Sequence, residues 1–531
     1  MSDWWRGAVI YQVYPRSFAD SNGDGVGDLR GLHERLDYIA GLGVDAIWVS
    51  PFFRSPMHDY GYDVADYCDV DPMFGTLADF DAVVARAHSL GLRVVIDQVY
   101  SHTSDRHPWF AESRSGRDGP RADWYVWADP KPDGSPPNNW QSLFVGPAWT
   151  WDARRGQYYL HNFLREQPDL NLLNPAVQEA LLGVARFWLD RGVDGFRVDA
   201  VSHFTHDPAL RDNPPRSGGP RTRPVDFQTL LYNADRPETL VFLERLRRVL
   251  DDYPERFALG EIGGPDSAGR SLADYLGSDR LHTAYSFLFL RADAPTPALV
   301  QGAVQEWERL HAGGWPTWVF SNHDAPRVVS RWGGSGPPDR YAKLLNALLL
   351  SLRGSVCLYQ GEELGLPQAH VPFERLRDPE AIANWPQTLG RDGARTPIPW
   401  RADREHGGFS EAEPWLPLDP GHLAMAVDRQ RGTAGSVLET TRQLLGLRRR
   451  HAALTRGGIA FHDAPEPVLA FTRRAPGDEL YCVFNLGAEP RRAATPDGAR
   501  WQVLAGDGAA GRASDALPLD PYGYALAVPA P

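Results

Sequence analysis

The sequence predicts an α/β fold: a (β/α)8 TIM barrel, a long inserted subdomain after its third strand, and a C-terminal antiparallel β-sandwich domain. Three observations predict it. Short apolar runs rich in β-branched residues alternate with amphipathic stretches, the pattern of βα units around a parallel sheet. Eight such runs occur, the count of a closed barrel. The rhythm then breaks twice, first at a tryptophan-rich stretch far longer than an ordinary βα connection and later where alternating strand patterns replace helices.

In chain order, strands are expected at Ala8–Tyr14, Ala46–Ser50, Arg93–Val99, Gly195–Val201, Phe257–Ile262, Thr283–Leu290, Thr317–His323 and Val356–Gln360. Helical periodicity fills Leu77–Leu90, Ala176–Arg191 and Pro237–Leu250 between them. The expected division is 1–103 and 174–455 for the barrel, 104–173 for the insertion and 456–531 for the β domain, which follows a helix at Ser436–Ala453 and holds strands at Val468–Thr472 and Leu480–Asn485. Proline- and glycine-rich segments at Asp207–Phe227 and Glu362–Pro417 read as irregular loops at the top of the barrel.

Composition narrows the function. The 531 residues carry 55 Lys and Arg against 68 Asp and Glu, a net charge of −13. That balance speaks against a nucleic-acid partner, because phosphate binding needs clustered cations that release counterions. The start, Met-Ser-Asp-Trp-Trp-Arg, has neither the basic nor the long apolar segment of a signal peptide, and no apolar run reaches about 18 residues. A cytoplasmic protein without a membrane partner is expected. Cys68, Cys357 and Cys482 are odd in number and far apart, which suits reduced thiols rather than a disulfide framework. Aromatic residues make up 11%; such rings fill cores and also suit sugar faces.

In a parallel barrel, catalytic groups gather at the C-terminal strand ends. Here the third strand ends in DQVYSH (Asp97, His102), the fourth reads GFRVDAV (Arg197, Asp199), the fifth ends in GEI (Glu261) and the seventh in FSNHD (His323, Asp324). Arg197 and Asp199, two apart on a strand, point the same way. The guanidinium is expected to lower the carboxyl pKa and make Asp199 a nucleophile. Glu261 has no adjacent cation in sequence, so partial burial is expected to hold its proton and make it a general acid, the two-carboxylate logic of a glycosidase. A lone acid at a strand end more often caps a helix; four acids with two histidines outweigh that reading.

These motifs, with QPDLN at Gln167, follow one another as in glycoside hydrolase family 13, the α-amylase family, and the chain most resembles its oligo-1,6-glucosidase and α-glucosidase branch over nearly its whole length. The resemblance implies Asp199 as nucleophile, Glu261 as acid/base and Asp324 as the carboxylate that stabilises the transition state. It implies that Asp97, His102, Arg197 and His323 surround the sugar, that Asp59 and Tyr62 of DYGYD hold the terminal glucose, and that Arg391 of RDGARTPIPW closes the pocket behind it. The expected activity is a retaining, exo-acting α-glucosidase that releases or transfers α-D-glucose from short α-1,4-linked oligosaccharides to water, a sugar or another alcohol. Ala200, after the nucleophile, stands where the branch has Val for α-1,6 and Ala or Thr for α-1,4 preference. A sucrose or maltose isomerase and an oligo-1,6-glucosidase are the alternatives on the same scaffold; a non-enzymatic binding homologue is disfavoured by the complete acid set.

The segment Asp20-Ser-Asn-Gly-Asp-Gly-Val-Gly-Asp28 sets oxygen ligands at alternate positions with glycines for sharp turns, as in the first half of an EF-hand loop. One structural Ca2+ is expected on Asp20, Asn22, Asp24, Asp28 and the Val26 carbonyl, with Mg2+ as the alternative ion and a metal-free Asx-turn cluster as the competing reading. Where many family members have Asn before the motif's His, this chain has Ser101, so a second calcium between barrel and insertion is not expected. No organic cofactor is expected.

Overall fold

The computed structural model describes residues 3–219, 221–263, 272–310, 314–334, 336–388, 390–506 and 513–530. Eight parallel strands form one sheet: β1 (Val9–Val13), β2 (Ala46–Val49), β3 (Arg93–Gln98), β4 (Gly195–Val198), β5 (Phe257–Ile262), β6 (Thr283–Ser286), β7 (Thr317–Val319) and β8 (Ser355–Tyr359). They pair in the order β6-β5-β4-β3-β2-β1-β8-β7. Ile10 lies opposite Ala46, Asp97 opposite Arg197 and Leu259 opposite Thr283. The remaining seam, between β6 and β7, is bridged by side chains: Thr283 Oγ1 donates to the Trp315 carbonyl (2.7 Å) and lies 2.9 Å from Thr317 Oγ1.

The covering helices include α1 (Leu29–Leu42), α2 (Leu77–Ser89), α3 (Pro175–Asp190), α4 (Thr239–Asp251), α5 (Pro297–Leu310), α6 (Pro338–Ser351) and α7 (Val437–Arg450). Their starts are written in the sequence. Asp28 caps α1 by accepting the Gly31 amide, Thr76 and Asp79 form a capping box on α2, and Asn174 caps α3 with Pro175 in the first helical position. No helix among the described residues is long and apolar enough to cross a membrane. The three cysteines are free.

Strands end earlier than the apolar runs do. Phe287 onward was expected to continue β6, but Leu288–Arg291 is a helical turn, and Val201–His203 is a 3-10 turn after β4. The cause at β4 is local: Ala200 sits at φ 43°, ψ 44°, which cannot continue a strand. Each strand thus stops where its polar end residues must leave the sheet and face the top.

Two tryptophans of the insertion, Trp140 and Trp149, serve its own core. Trp127–Ala128, Trp149–Asp152 and Gln157–Leu160 form a three-stranded antiparallel sheet, on which Trp140, fully buried, stacks 5.9 Å from Trp149. The Leu170 amide bonds the Ser101 carbonyl (2.9 Å) and ties the returning chain to the barrel top. At the other end of the chain, β9 (Gly458–His462), β10 (Val468–Ala475), β11 (Asp478–Asn485), β12 (Arg491–Ala494), β13 (Trp501–Gly506), β14 (Ala513–Ser514), β15 (Ala516–Leu519) and β16 (Tyr524–Pro529) build antiparallel sheets of six and two strands. Arg473, fully buried, donates to the carbonyls of Ser351, Leu454 and Gly457 and locks this domain to α6.

Candidate active site

The C-terminal strand ends converge on a cavity of about 180 Å³. Its wall carries Asp59, Tyr62, His102, Asp199, Glu261, Asp324 and Arg391. Seven of the ten residues expected to catalyse or bind therefore reach one space. The other three, Asp97, Arg197 and His323, are fully buried and absent from the cavity wall. They stand directly behind it.

Arg197 organises one side. Its Nη1 lies 2.5 Å from both Asp97 Oδ1 and Asp199 Oδ1, and its Nη2 lies 2.6 Å from Glu261 Oε2. The same guanidinium donates to Tyr285 Oη (3.0 Å), whose hydroxyl faces Glu261 Oε1 at 3.2 Å. Trp48 Nε1 donates to Asp97 Oδ2 (2.8 Å) and the Ala200 amide to Glu261 Oε2 (3.1 Å). This refines one sequence expectation and corrects another. Glu261 does have a cation partner, supplied through space from the neighbouring strand. Asp199 does pair with Arg197, but its pKa is not lowered: burial outweighs the guanidinium and pushes the carboxyl up to about 7, with Asp97 and Asp324 adding repulsion. Glu261 rises to about 7 for the same reason, and Asp97 to about 6. One cation is divided among three buried acids, so the group retains a proton near neutrality.

Asp324 lives differently. Arg395 Nη2 lies 2.8 Å from its Oδ1, Arg391 Nη1 3.4 Å from the same oxygen, and His323 Nε2 3.1 Å from Oδ2. Burial opposes its charge, but His323, Arg395 and Arg391 together hold the carboxyl well below the usual range. His323 is itself kept neutral, by burial first and then by the surrounding arginines. Gln12 Nε2 faces its Nδ1 at 2.8 Å, which leaves the proton on Nε2, aimed at Tyr62 Oη (2.6 Å) and Asp324. Tyr62 lies flat on His323, centroids 5.2 Å apart at 1°.

One end of the cavity wall is held by a network around Asp59. Tyr60 at φ 51° and Gly61 at φ 108° make the turn that presents Asp59 and Tyr62; a Cβ on Gly61 would stand 2.9 Å from the Pro51 carbonyl. Arg391 Nη2 reaches Asp59 Oδ1 and Asp378 Oδ1, both at 2.8 Å, and Gln167 Nε2 donates to Asp59 Oδ2 (3.1 Å). Ser101 Oγ lies 2.9 Å from His102 Nδ1 and fixes that ring, which burial holds neutral with a pKa of about 4.

Sequence reasoning missed Tyr285, Arg395, Trp48 and Gln12. Two signals were available. Arg395 lies within the same RDGARTPIPW segment as Arg391, and Tyr285 sits near the C-terminal end of β6, opposite Glu261 in the strand register. Phe144, Phe163 and Phe287 also line the cavity without any motif to mark them.

The Asp20–Asp28 loop lies apart from this cavity, strapped to the excursion after β8: Asp20 Oδ2 accepts from Ser410 Oγ (2.6 Å), and the Gly25 carbonyl accepts the Trp415 amide. Its donors are all oxygen, the chemistry of Ca2+ or Mg2+. They are also engaged with the loop itself. Asp20 accepts the amides of Asn22, Gly23 and Gly25, Asp24 that of Val26, and Asp28 those of Ser21 and Gly31. Among the described residues no three Asp, Glu, His or Cys side chains converge as a metal cage.

Comparison with known proteins agrees with this geometry. Residues 12–457 match the α-amylase catalytic domain family. The chain is 54% identical to a probable α-glucosidase of Rhizobium meliloti strain 1021, over 92% of this chain and 90% of the relative. It is 36% identical to an oligo-1,6-glucosidase of Parageobacillus thermoglucosidasius, over 93% and 92%. Among solved structures, the α-glucosyl transfer enzyme XgtA superposes with a TM-score of 0.94 at 51% identity over the whole of both chains. A trehalulose synthase does so with 0.91 at 35% identity, covering 99% and 100%. The chain belongs to the α-amylase family of glycoside hydrolases, family 13.

Proposed function

We propose that this enzyme is a retaining, exo-acting α-glucosidase that releases or transfers α-D-glucose from the non-reducing end of short α-1,4-linked oligosaccharides such as maltose. The observation that carries the reading is the single guanidinium of Arg197, which bonds Asp199 with one nitrogen and Glu261 with the other. Two carboxyls drawn onto one guanidinium suit the close spacing, about 5 Å, at which retaining glycosidases carry out covalent catalysis.

In the proposed mechanism the terminal glucose sits against Asp59, Tyr62 and Arg391. Asp199 attacks the anomeric carbon while Glu261 gives its proton to the leaving oxygen, and the C–O bond to the leaving sugar breaks. Asp324, ionised throughout, stabilises the positive charge that develops on the ring. Water or an acceptor hydroxyl then gives its proton to Glu261, attacks the glucosyl-enzyme and frees Asp199 with configuration retained. Between the two ionisations of the Asp199–Glu261 pair one proton is shared, which is the reactive form, so kcat/KM follows a bell with its maximum near neutral pH.

The α-1,4 preference rests on Ala200, which lines the cavity beside the nucleophile. A time course of products from maltose, isomaltose and sucrose tests it: glucose and transfer products fastest from maltose support the reading, and conversion of sucrose or maltose to an isomeric disaccharide would make the enzyme an isomerase on the same residues. The similarity to a trehalulose synthase keeps that second reading in view. Faster cleavage of isomaltose would make it an oligo-1,6-glucosidase.

One structural Ca2+ is proposed on the loop of Asp20, Asn22, Asp24, Val26 and Asp28, and no catalytic step uses it. After chelation, Ca2+ at about a hundred times its Kd is expected to stabilise the fold by about 2.7 kcal/mol, about 2 °C in melting temperature at this chain length; an unchanged value leaves a self-bonded Asx cluster. Mg2+ in a parallel titration tells the two ions apart.

A further inference from the structure

An acid/base carboxyl gives up a proton and later takes one back, and the two oxygens of Glu261 stand in different surroundings. Oε2 accepts the Ala200 amide (3.1 Å) and lies 2.6 Å from Arg197 Nη2. Both neighbours favour negative charge on Oε2 and oppose a proton there. Oε1 faces a neutral group instead, the hydroxyl of Tyr285 at 3.2 Å. The acid proton therefore belongs on Oε1.

Arg197 sets the direction of the Tyr285 hydrogen bond. Its Nη2 and Nε donate to Tyr285 Oη at 3.0 and 3.3 Å. With both N–H groups aimed at the phenol oxygen, the phenol hydrogen is left for Glu261 Oε1. Tyr285 is 1% exposed, and burial raises its pKa well above the ordinary tyrosine value, so the hydroxyl keeps its hydrogen at every working pH. Glu261 and Tyr285 lie opposite each other in the register of β5 and β6, which turns both side chains to the barrel interior. Glu261 lines the catalytic cavity and Tyr285 does not. Tyr285 thus reaches the reaction through its neighbours.

We propose that Tyr285 is a positioning residue for proton transfer: its hydroxyl holds Glu261 Oε1, the oxygen that carries the acid proton, and stabilises the carboxylate left when that proton has gone. The proposal rests on Glu261 as the acid/base. In the first step the Oε1–H bond breaks as the proton bonds the glycosidic oxygen, and the C–O electron pair goes to that oxygen. The Tyr285 hydroxyl then donates to a charged acceptor, a stronger bond than to the neutral acid. In the second step water or the acceptor hydroxyl returns a proton to Oε1. Other groups face Glu261 as well: Asp97 on β3, Asp199 and Arg197 on β4, Asp324 after β7, and His203 and Arg291 on the shared cavity wall. Tyr285→Phe keeps all of them and removes one donor.

Tyr285→Phe is expected to lower kcat/KM on maltose about tenfold, the worth of a hydrogen bond to a charged group. On an aryl α-glucoside whose leaving group needs no proton, the loss should stay below about threefold. A carboxylate that has lost a donor holds its proton to higher pH, so the basic limb of kcat/KM should move up by about half a unit to one unit. Fluorotyrosine in place of Tyr285 keeps the ring and the hydroxyl but donates more strongly, and should move the same limb down; it decides the matter if the Phe variant does not fold. Equal losses on the two substrates, or a basic limb that stays in place in both variants, overturn the proposal. Glu261→Gln, run beside them, separates this proposal from the reading beneath it. A maltose-selective loss in Glu261→Gln without one in Tyr285→Phe removes Tyr285 and leaves the acid/base standing, whereas an equal loss in Glu261→Gln removes the acid/base assignment itself.

Discussion

The two flanks of the catalytic cavity are built from the same residue types, but they distribute their cations differently. On one flank Asp97, Asp199 and Glu261 share the single cation Arg197; on the other Asp324 is met by Arg395, by His323 and by Arg391, which also bonds Asp59 and Asp378. All four acids lie in the interior of the barrel top, so desolvation raises each of them. The cation count decides the outcome. An acid that shares one guanidinium with two others retains a proton near neutrality, and an acid that two guanidiniums and a histidine meet at once stays charged. A retaining glycosidase needs both conditions at once, a group that gives and takes a proton and a charge that never leaves.

The largest effect expected is on the acid-rich flank. Asp199→Asn should lower kcat by about 10⁴-fold or more with an unchanged circular dichroism spectrum, and near-normal turnover would remove Asp199 from its role. Glu261→Gln should cost about 10²- to 10⁴-fold on maltose. The loss should shrink on an aryl glucoside whose leaving group needs no proton; an equal loss on both substrates points to another acid.

A subtler change tests the counting itself. Asp97 repels the charge on Asp199 and raises its pKa. Asp97→Asn removes that repulsion, Asp199 then stays ionised to lower pH, and the acidic limb of kcat/KM should move down by about half a unit to one unit. An acidic limb that moves up or stays in place breaks the comparison. Smallest is Ala200→Val. The left-handed backbone there costs a β-branched residue about 1–3 kcal/mol, so a lower melting temperature is expected together with a few-fold rise in isomaltose over maltose cleavage. A ratio that does not change removes the steric argument for linkage.

Strand ends carried much of this site into view from sequence, because in a parallel barrel they all face one way. Asp199, Glu261 and Asp324 were legible for that reason, and the eight strands were legible from their apolar runs. What escaped was anything decided across strands. Arg197 is two residues from Asp199 but sixty-four from Glu261, and only the pairing of β4 with β5 brings it to both. The sign of the Asp199 shift escaped as well, since burial depends on the whole barrel top and not on its neighbours in sequence. The tryptophans of the insertion were ambiguous between core and sugar contact; the fold gives Trp140 and Trp149 to the core.

The central claim is that one guanidinium draws Asp199 and Glu261 together for a double displacement. Proton NMR of glucose released from maltose, recorded before mutarotation, tests it most directly. The account predicts α-glucose as the first product, giving way to the equilibrium mixture with time. Initial release of β-glucose would mean a single displacement by water, and would contradict the assignment of Asp199 as a nucleophile.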